Sequence, residues 1–412
     1  MKNFKNNVEF DYKGLPQILE PSTNDYKKTY EKYKKTAKEY NIDLFICDVL
    51  ANEACIDAAN NLKKPVVGWT SFLQFMDPVP YKDDPVYGCN TSLENESFFE
   101  RFRCALIQPL QVASKLGPFA HQLNDIRKQM NIEPSGKIPK VSLSLVDTFF
   151  GFELPQHLAP NVQEVGPVLP EEYPPITPEL SNFMNAHERV LYIAFTSRDN
   201  FYPTLNLTDG TQVQTLSILN NKHPHIHITN FAPQFAVLNH TNTKLFFSHG
   251  GAGSAHESLY TGTPMLVLPL GGDQMGNAQK LKTAGVALTL SVYNLNVNDI
   301  LNKMSKLLED EKIKKNLKRM EVLTKINSKR KYRAADLIEY ILHSSGLEEY
   351  INDDYLKEWA PAASRMGFIK ANNLDVYGAL LGIVLTLIGG IVFKLFKLIS
   401  NPSSIRIKSK KA

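Results

Sequence analysis

The chain has 412 residues, is 43% apolar and 21% charged, and carries a net charge of +4. That length holds two domains with sizeable cores, and so mild a basic balance, much of it in the C-terminal tail, gives no reason to expect nucleic acid as a partner. Cys47, Cys55, Cys89 and Cys104 lack CxxC or zinc spacing and read as buried free thiols rather than disulfides.

Met1 to Gly14 is polar and has no apolar core of the kind a secretory signal needs. Asn24 to Tyr40, rich in Lys and Tyr, predicts an exposed amphipathic helix with a solvated lysine face. Asp43 to Asp48 predicts a buried strand ending in an acid, Ala51 to Asn61 a helix, and Pro65 to Trp69 the next strand, which is the rhythm of a parallel sheet. Phe98 to Met130 reads as a helix broken near Gly117-Pro118, and Val141 to Phe149 as a strand. Asn161 to Pro178, rich in proline, reads as an interdomain linker.

A second sheet is expected to open at Val190 to Phe195, followed by Thr196-Ser197-Arg198. Leu205 to Asn220 reads as loop and helix, and Ile226 to Thr229 as a strand leading to Phe231-Ala232-Pro233-Gln234. No apolar strand stands between Asn220 and Pro224, so one central strand is expected to be missing, with exposed sheet edges as the consequence. His223, His225 and His227 alternate; without an acidic or cysteine partner close by they read as strand-end residues, and no metal site is expected. Ile300, Met304, Leu307 and Leu308 have the spacing of a helical core stripe, and Arg333 to His343 predicts another helix.

Val376 to Phe393 is an uncharged apolar run of about 18 residues, enough to span a bilayer. Asp353, Asp354, Glu358 and Asp375 precede it, while Lys394, Lys397, Arg406, Lys408, Lys410 and Lys411 follow. The positive-inside rule therefore puts the tail in the cytosol and the rest in the lumen. The last five residues, Lys408 to Ala412, fit a K-x-K-x-x pattern of retrieval to the endoplasmic reticulum. Asn90, Asn95, Asn206 and Asn239 stand in glycosylation sequons, of which the one at Asn239 reads as chance.

The stretch Leu245 to Gln279 carries the chemistry. Leu245-Phe246-Phe247 predicts a buried strand, Ser248 to Ser254 a glycine-rich turn, and Ala255 to Tyr260 a helix. Gly250 and Gly251 let the backbone approach a ligand, and the free N–H groups of the helix start suit an anion. His249 can donate to a phosphate oxygen, and Glu257 can accept from ribose hydroxyls. Met265 to Leu270 predicts a second strand ending in Gly271-Gly272-Asp273-Gln274, a carboxylate beside a carboxamide, as a hexose requires.

Taken together, Phe231-Ala232-Pro233-Gln234, Ser248-His249-Gly250-Gly251, Glu257 and Asp273-Gln274 resemble the signature of the UDP-glycosyltransferases, the family that includes the glucuronosyltransferases. The resemblance implies an α/β protein with a GT-B-like pair of Rossmann-like domains, the N-terminal one incomplete, followed by a single C-terminal transmembrane helix. It places the acceptor-side domain at 1–165, the UDP-sugar domain at 166–345, a segment crossing back to the first domain at 346–375, the span at 376–393 and a basic tail at 394–412. It implies inverting, metal-independent transfer of a hexose, glucose or glucuronate, from UDP-sugar to a hydroxyl of a lipophilic small molecule. UDP-sugar is the donor substrate and no cofactor is implied; an oligomer is compatible.

Carried onto this sequence, Phe231 replaces the Trp that stacks on uracil, Gln234 bonds the uridine, and Ser197 contacts uracil or a phosphate. Ser248, His249, Gly250 and Gly251 serve the phosphates, Glu257 the ribose, and Asp273 and Gln274 the sugar. Asp48 stands where the family has the acid that orients its general-base His, with capping of the next helix as the competing role. The base itself belongs to a loop after the family's first strand. This chain is expected to start beyond that point, and no His precedes His121. The alternative is a non-catalytic relative that binds UDP-sugar or partners a complete enzyme.

Overall fold

Two four-stranded parallel sheets carry the fold. The computed structural model describes residues 22–49, 52–71, 97–132, 141–153, 158–195, 204–206, 212–214, 221, 223–270, 273–345 and 366–400. The first sheet runs β1 (Phe45–Asp48), β2 (Val66–Thr70), β3 (Leu143–Val146), β4 (Val162–Glu164), in that spatial order. Parallel neighbours require crossovers. Between β1 and β2 that crossover is α2 (Glu53–Asn61), against which α1 (Tyr26–Glu39) packs. The lysines of α1 face solvent, as expected, while Tyr26, Tyr30 and Ala37 are buried. Tyr26 Oη donates to Asp57 Oδ2 at 2.5 Å, and Arg127 Nε donates to the same oxygen at 2.7 Å. Each of these groups is otherwise expensive to bury, so the triad fixes α1, α2 and the helix of Arg127 against one another.

Between β2 and β3 runs a helical rod: α3 (Phe98–Phe102), a π-helical turn over Arg103–Ile107, and α4 (Gln108–Gln129). The break expected at Gly117-Pro118 is not there; Pro118 lies inside α4. Its missing N–H deprives only the Ser114 carbonyl, and both residues are exposed, so water can serve that carbonyl without ending the helix. The expected linker is corrected too, since β4 falls inside Asn161 to Pro178.

The cysteine expectation is also overturned. Cys47 on β1 and Cys55 on α2 form a disulfide with Cα atoms 5.8 Å apart, and Cys104 is likewise disulfide-bonded. The strand-to-helix return brings two residues eight positions apart within bonding reach, which spacing alone does not reveal. Cys89, Asn90 and Asn95 lie outside the described residues.

The second sheet has the order β10-β9-β8-β5. Its strands are β5 (Val190–Ala194), β8 (Thr243–Ser248), β9 (Met265–Val267) and β10 (Ala287–Thr289). Preceding it is α5 (Pro178–Asn185), and around it lie α6 (Gln234–Leu238), α7 (Ala252–Thr261), α8 (Gln274–Thr283), α9 (Val297–Glu309), α10 (Glu311–Asn327) and α11 (Arg330–Ser345). Of 205–220, read from sequence as loop and helix, the described residues pair as two antiparallel strands, β6 (Thr204–Asn206) with β7 (Gln212–Gln214), and the rest lies outside the described residues.

The strand expected at Ile226 to Thr229 does not form. The Asn221 side chain takes both backbone groups that a ladder would use: its Oδ1 accepts from Ile228 N at 2.6 Å and its Nδ2 donates to the Ile228 carbonyl at 2.9 Å. Among the described residues β5 is therefore a sheet edge, with Ile193 55% exposed. In the first sheet β1 is also an edge, and Ile46 is 53% exposed.

Residues 1–351 form one compact unit holding both sheets. The turn after β3 sends Phe149 and Phe152 into the core of the second sheet, where they meet Leu245, Leu266 and Leu281 in one cluster. Beside them Lys280 Nζ donates to Glu153 Oε2 at 2.6 Å, both side chains almost fully buried. From α11, Lys331 donates to the Leu169 carbonyl at 2.7 Å and Arg333 to Gln163 Oε1 at 3.4 Å, so this helix reaches back to the strand β4 and the segment after it. A second unit, 352–412, contains α12 (Phe368–Ala371) and α13 (Leu374–Ser400). By length and composition α13 is able to cross a membrane; most of the crossing segment 346–375 lies outside the described residues.

Lys280→Met leaves the Glu153 carboxylate buried without its cation and is expected to cost about 3–5 kcal/mol. In urea unfolding of the detergent-solubilised protein, the double variant Lys280→Met/Glu153→Met should recover most of that loss.

Candidate functional site

Strand β8 sits between β5 and β9, and its exit into α7 forms the centre of the site. Gly250 has φ +84°, and a Cβ there would lie 2.6 Å from Val267 Cγ1 on β9. Glycine is thus required both by the left-handed backbone and by the neighbouring strand. Gly251 is the N-cap of α7, and a Cβ on it would fall 2.8 Å from His249 Nε2. No side chain caps the helix start, so its first N–H groups remain for an anion. Ser248 is fully buried; its Oγ accepts from Gly250 N at 3.4 Å and lies 3.5 Å from His249 Nδ1.

His249 hydrogen-bonds the Ala194 backbone carbonyl. Burial pushes its pKa below the ordinary imidazole value, while Asp273 and that carbonyl pull the other way. The ring is therefore neutral at pH 7, with a single N–H.

Asp273 and Gln274 stand at the start of α8. A buried residue, Asn277, ties them to the glycine loop: its Nδ2 donates to the Gly250 carbonyl at 3.1 Å and to Asp273 Oδ2 at 2.9 Å. Gln274 Oε1 accepts from Leu270 N at 2.8 Å, which folds the strand exit onto α8. On the far side of α7, Gln234 Nε2 donates to Glu257 Oε2 at 2.8 Å and to Ser254 Oγ at 3.1 Å. Burial raises the Glu257 pKa, and the Gln234 bond opposes that rise. Glu257 is the sixth residue of α7, so one helix carries the anion-facing start and, further along, the carboxylate. Its neighbour His256 turns into the core, where burial pushes its pKa down to about 3 and that of Asp147, 3.6 Å away, up to about 6. With His256 neutral at pH 7, that contact is not an ion pair.

Phe231 is 75% exposed, its ring presented to solvent, with Thr229 Oγ1 bridging its backbone N–H and carbonyl. Ser197 lies outside the described residues. Asp48 is not part of this cluster: it ends β1 in the other sheet and is exposed, while the N-cap of α2 is Asn52, so the helix-capping role expected of Asp48 is not realised. His187 Nε2 lies 3.3 Å from His225 Nδ1, yet no group of three or more potential metal ligands converges among the described residues.

Asn277 and Ser254 escape the sequence reading. The i,i+4 spacing of Asp273 and Asn277 at a helix start was the available signal for the first. Tyr173, whose ring stacks on Phe235 with centroids 3.5 Å apart, comes from the proline-rich segment, and no local pattern places it here.

A family model for UDP-glucoronosyl and UDP-glucosyl transferases matches residues 206–410. The chain is 29% identical over 416 residues to UDP-glycosyltransferase 1 of Phaeomoniella chlamydospora, an alignment covering 89% of this chain and 83% of that protein. The chain belongs to the UDP-glycosyltransferase family. A second fungal UDP-glycosyltransferase, from Talaromyces amestolkiae, is also 29% identical, over 89% of this chain and 78% of its own length. UDP-glucuronosyltransferase 1A7 of Rattus norvegicus is 28% identical over 60% of this chain and 48% of its own length. Among solved structures, the glycotransferase of kitacinnamycin superposes with a TM-score of 0.55 at 19% identity, covering 79% of this chain and 82% of that one. The calicheamicin glycosyltransferase CalG4 gives 0.52 at 16% identity, covering 81% and 84%. The family member thus has the GT-B α/β fold, its site cluster lying within the matched family region.

The glycine loop allows a paired test of stability. Gly250→Ala is expected to destabilise by about 2–4 kcal/mol, from left-handed strain plus overlap with Val267. Gly253→Ala, whose Cβ meets nothing within 4 Å on α7, is expected to be neutral or to stabilise by about 0.5–1 kcal/mol. Thermal unfolding of the two variants side by side measures both.

Proposed function

We propose that this chain is a membrane-anchored UDP-hexosyltransferase that moves glucose or glucuronate from UDP-sugar to a hydroxyl of a lipophilic small molecule, with inversion and without a metal. One observation carries the reading. A single helix, α7, holds the glycine loop and His249 at its start and the Gln234–Glu257 pair further along, while Asn277 locks Asp273 onto the same loop. That is a string of sites with the polarity of ribose, pyrophosphate and hexose, with the pyrophosphate position between the other two.

In this reading the exposed Phe231 ring stacks on uracil and Gln234 bonds the uridine. Ser197, Ser248, Gly250 and Gly251 line the nucleotide and phosphates. Glu257 accepts from the ribose, and Asp273 and Gln274 hold the hexose hydroxyls. The acceptor oxygen attacks the anomeric carbon as the bond to the pyrophosphate oxygen breaks; the acceptor proton goes to a general base, and UDP leaves with its charge met by the helix start and His249. Asp48 is assigned to orienting that base. The acceptor-side domain is assigned to 1–165 and the donor domain to 166–345. Residues 376–393 are assigned to the membrane span, with the catalytic part in the lumen of the endoplasmic reticulum and the tail in the cytosol. The Cys47–Cys55 disulfide suits an oxidising lumen. The competing reading, a relative that binds UDP-sugar without turning it over, is favoured by the exposed setting of Asp48.

The His249 hydrogen bond sets the pH dependence. A neutral ring with its one N–H on the Ala194 carbonyl has none left for phosphate, so donation requires the imidazolium. Binding therefore takes up a proton, and affinity rises as pH falls. Calorimetry with UDP-glucose, whose phosphates do not titrate in this range, should show tighter binding at about pH 6 than at about pH 8. His249→Ala should weaken binding by about 1.5–3 kcal/mol and flatten the profile. Unchanged affinity in that variant, or adenosine diphosphate competing as well as UDP, would overturn the donor-site reading. Transfer of radiolabelled hexose to a panel of lipophilic alcohols separates the enzyme from the binding-only relative.

A further inference from the structure

Five of the chain's ten histidines gather at one end of the second sheet. His187 and His240 stand just ahead of the paired strand starts Val190 and Thr243, and both meet the end of α5, His187 through the Phe183 carbonyl and His240 through Asn185. His223, His225 and His227 come from the segment where the expected strand does not form. The His225 ring is 5.5 Å from that of His187 and 6.0 Å from that of His223, and His227 packs on Phe183. The glycine loop leaves from Ser248 at the opposite end of the same strand pair, so this cluster is separate from the donor site.

Two of these rings are arranged to share an ion. His187 Nδ1 lies 2.8 Å from the Phe183 carbonyl, which can only accept, so the proton of the neutral ring is on Nδ1 and Nε2 keeps its lone pair. An N–H held on a backbone carbonyl is what orients metal-ligating imidazoles. His187 Nε2 faces His225 Nδ1 at 3.3 Å. Two nitrogens each about 2.0–2.1 Å from a tetrahedral zinc ion stand about 3.3–3.4 Å apart, whereas a good N–H hydrogen bond measures about 2.9–3.0 Å. The Phe183 ring packs against His187 with centroids 4.6 Å apart and steadies it. The last carbonyls of α5, the negative end of that helix, lie beside the pair and favour a cation. His223 is not a third ligand: its Nδ1 accepts from His225 N at 3.2 Å, which leaves the proton of its neutral ring on Nε2.

We propose that His187 Nε2 and His225 Nδ1 bind one divalent ion of the zinc class, with water in the remaining positions. Imidazole selects zinc, copper or nickel over magnesium and calcium. His225 then carries its proton on Nε2, so two neutral rings each give one lone pair and no proton is lost. The ion ties the end of α5 to the 223–228 segment, whose other anchor is the pair of bonds between Asn221 and Ile228.

Calorimetry of zinc chloride into untagged, chelator-treated, full-length protein in detergent near neutral pH tests this. The wild type should bind zinc, and His187→Ala and His225→Ala should each weaken that binding by about tenfold or more, at least what the loss of an outer partner costs a metal site. Magnesium chloride should give no binding heat. Thermal unfolding in chelator checks that the variants are folded. Electron paramagnetic resonance of copper(II) bound to the wild type needs no variant, and its nitrogen couplings should report two imidazoles. The site is overturned if the wild type does not bind zinc, if magnesium binds as well as zinc, or if copper lacks the paired nitrogen couplings. Zinc binding undiminished in the double variant His187→Ala/His225→Ala overturns it too, because the ion then sits elsewhere.

Discussion

At Gly250 the chain leaves β8 with φ +84° and no room for a Cβ beside Val267. The geometry of the site depends on that one position. Because the backbone can turn there, Gly251 caps α7 with its N–H groups free, His249 turns back to the Ala194 carbonyl, and the Gly250 carbonyl faces Asn277. Asn277 in turn fixes Asp273, so the tight turn positions residues on two helices and three strands.

Burial then sets the charge states. His249 and Glu257 are both pushed toward their neutral forms, and each is pulled back by its neighbours, Asp273 and the Ala194 carbonyl for His249 and Gln234 for Glu257. Groups balanced in this way respond to a ligand's charge more than fully exposed ones do. Deeper in the core the same desolvation acts without compensation on His256, which is neutral against Phe149 and Phe152.

The molecule also shows where its surfaces are unfinished. Edge strands β1 and β5 present Ile46 and Ile193 to solvent, and the α3–α4 rod presents a row of aromatic and aliphatic side chains. Apolar surface of that extent is stable only when something covers it.

The local structure of the Leu245–Gln279 stretch and of α13 was legible in the sequence because it resides in contiguous residues: the strand β8, the glycine turn after it, the helix α7, the strand β9 and the apolar run of α13. Strands β1, β2, β5 and β8 were legible for the same reason, since short apolar runs ending in polar turns report their own burial. What only the tertiary structure decided involves partners distant in the chain. Asn221 capturing Ile228 cancels a strand that local propensity favours. Pro118 sits inside a helix because its face is solvated. Cys47 meets Cys55 only once β1 turns back into α2. Tyr173 reaches Phe235, and Lys280 reaches Glu153, only after the two sheets pack. Periodicity and motif spacing encode what a segment prefers by itself; which of its polar groups find a partner is set by the fold that surrounds it.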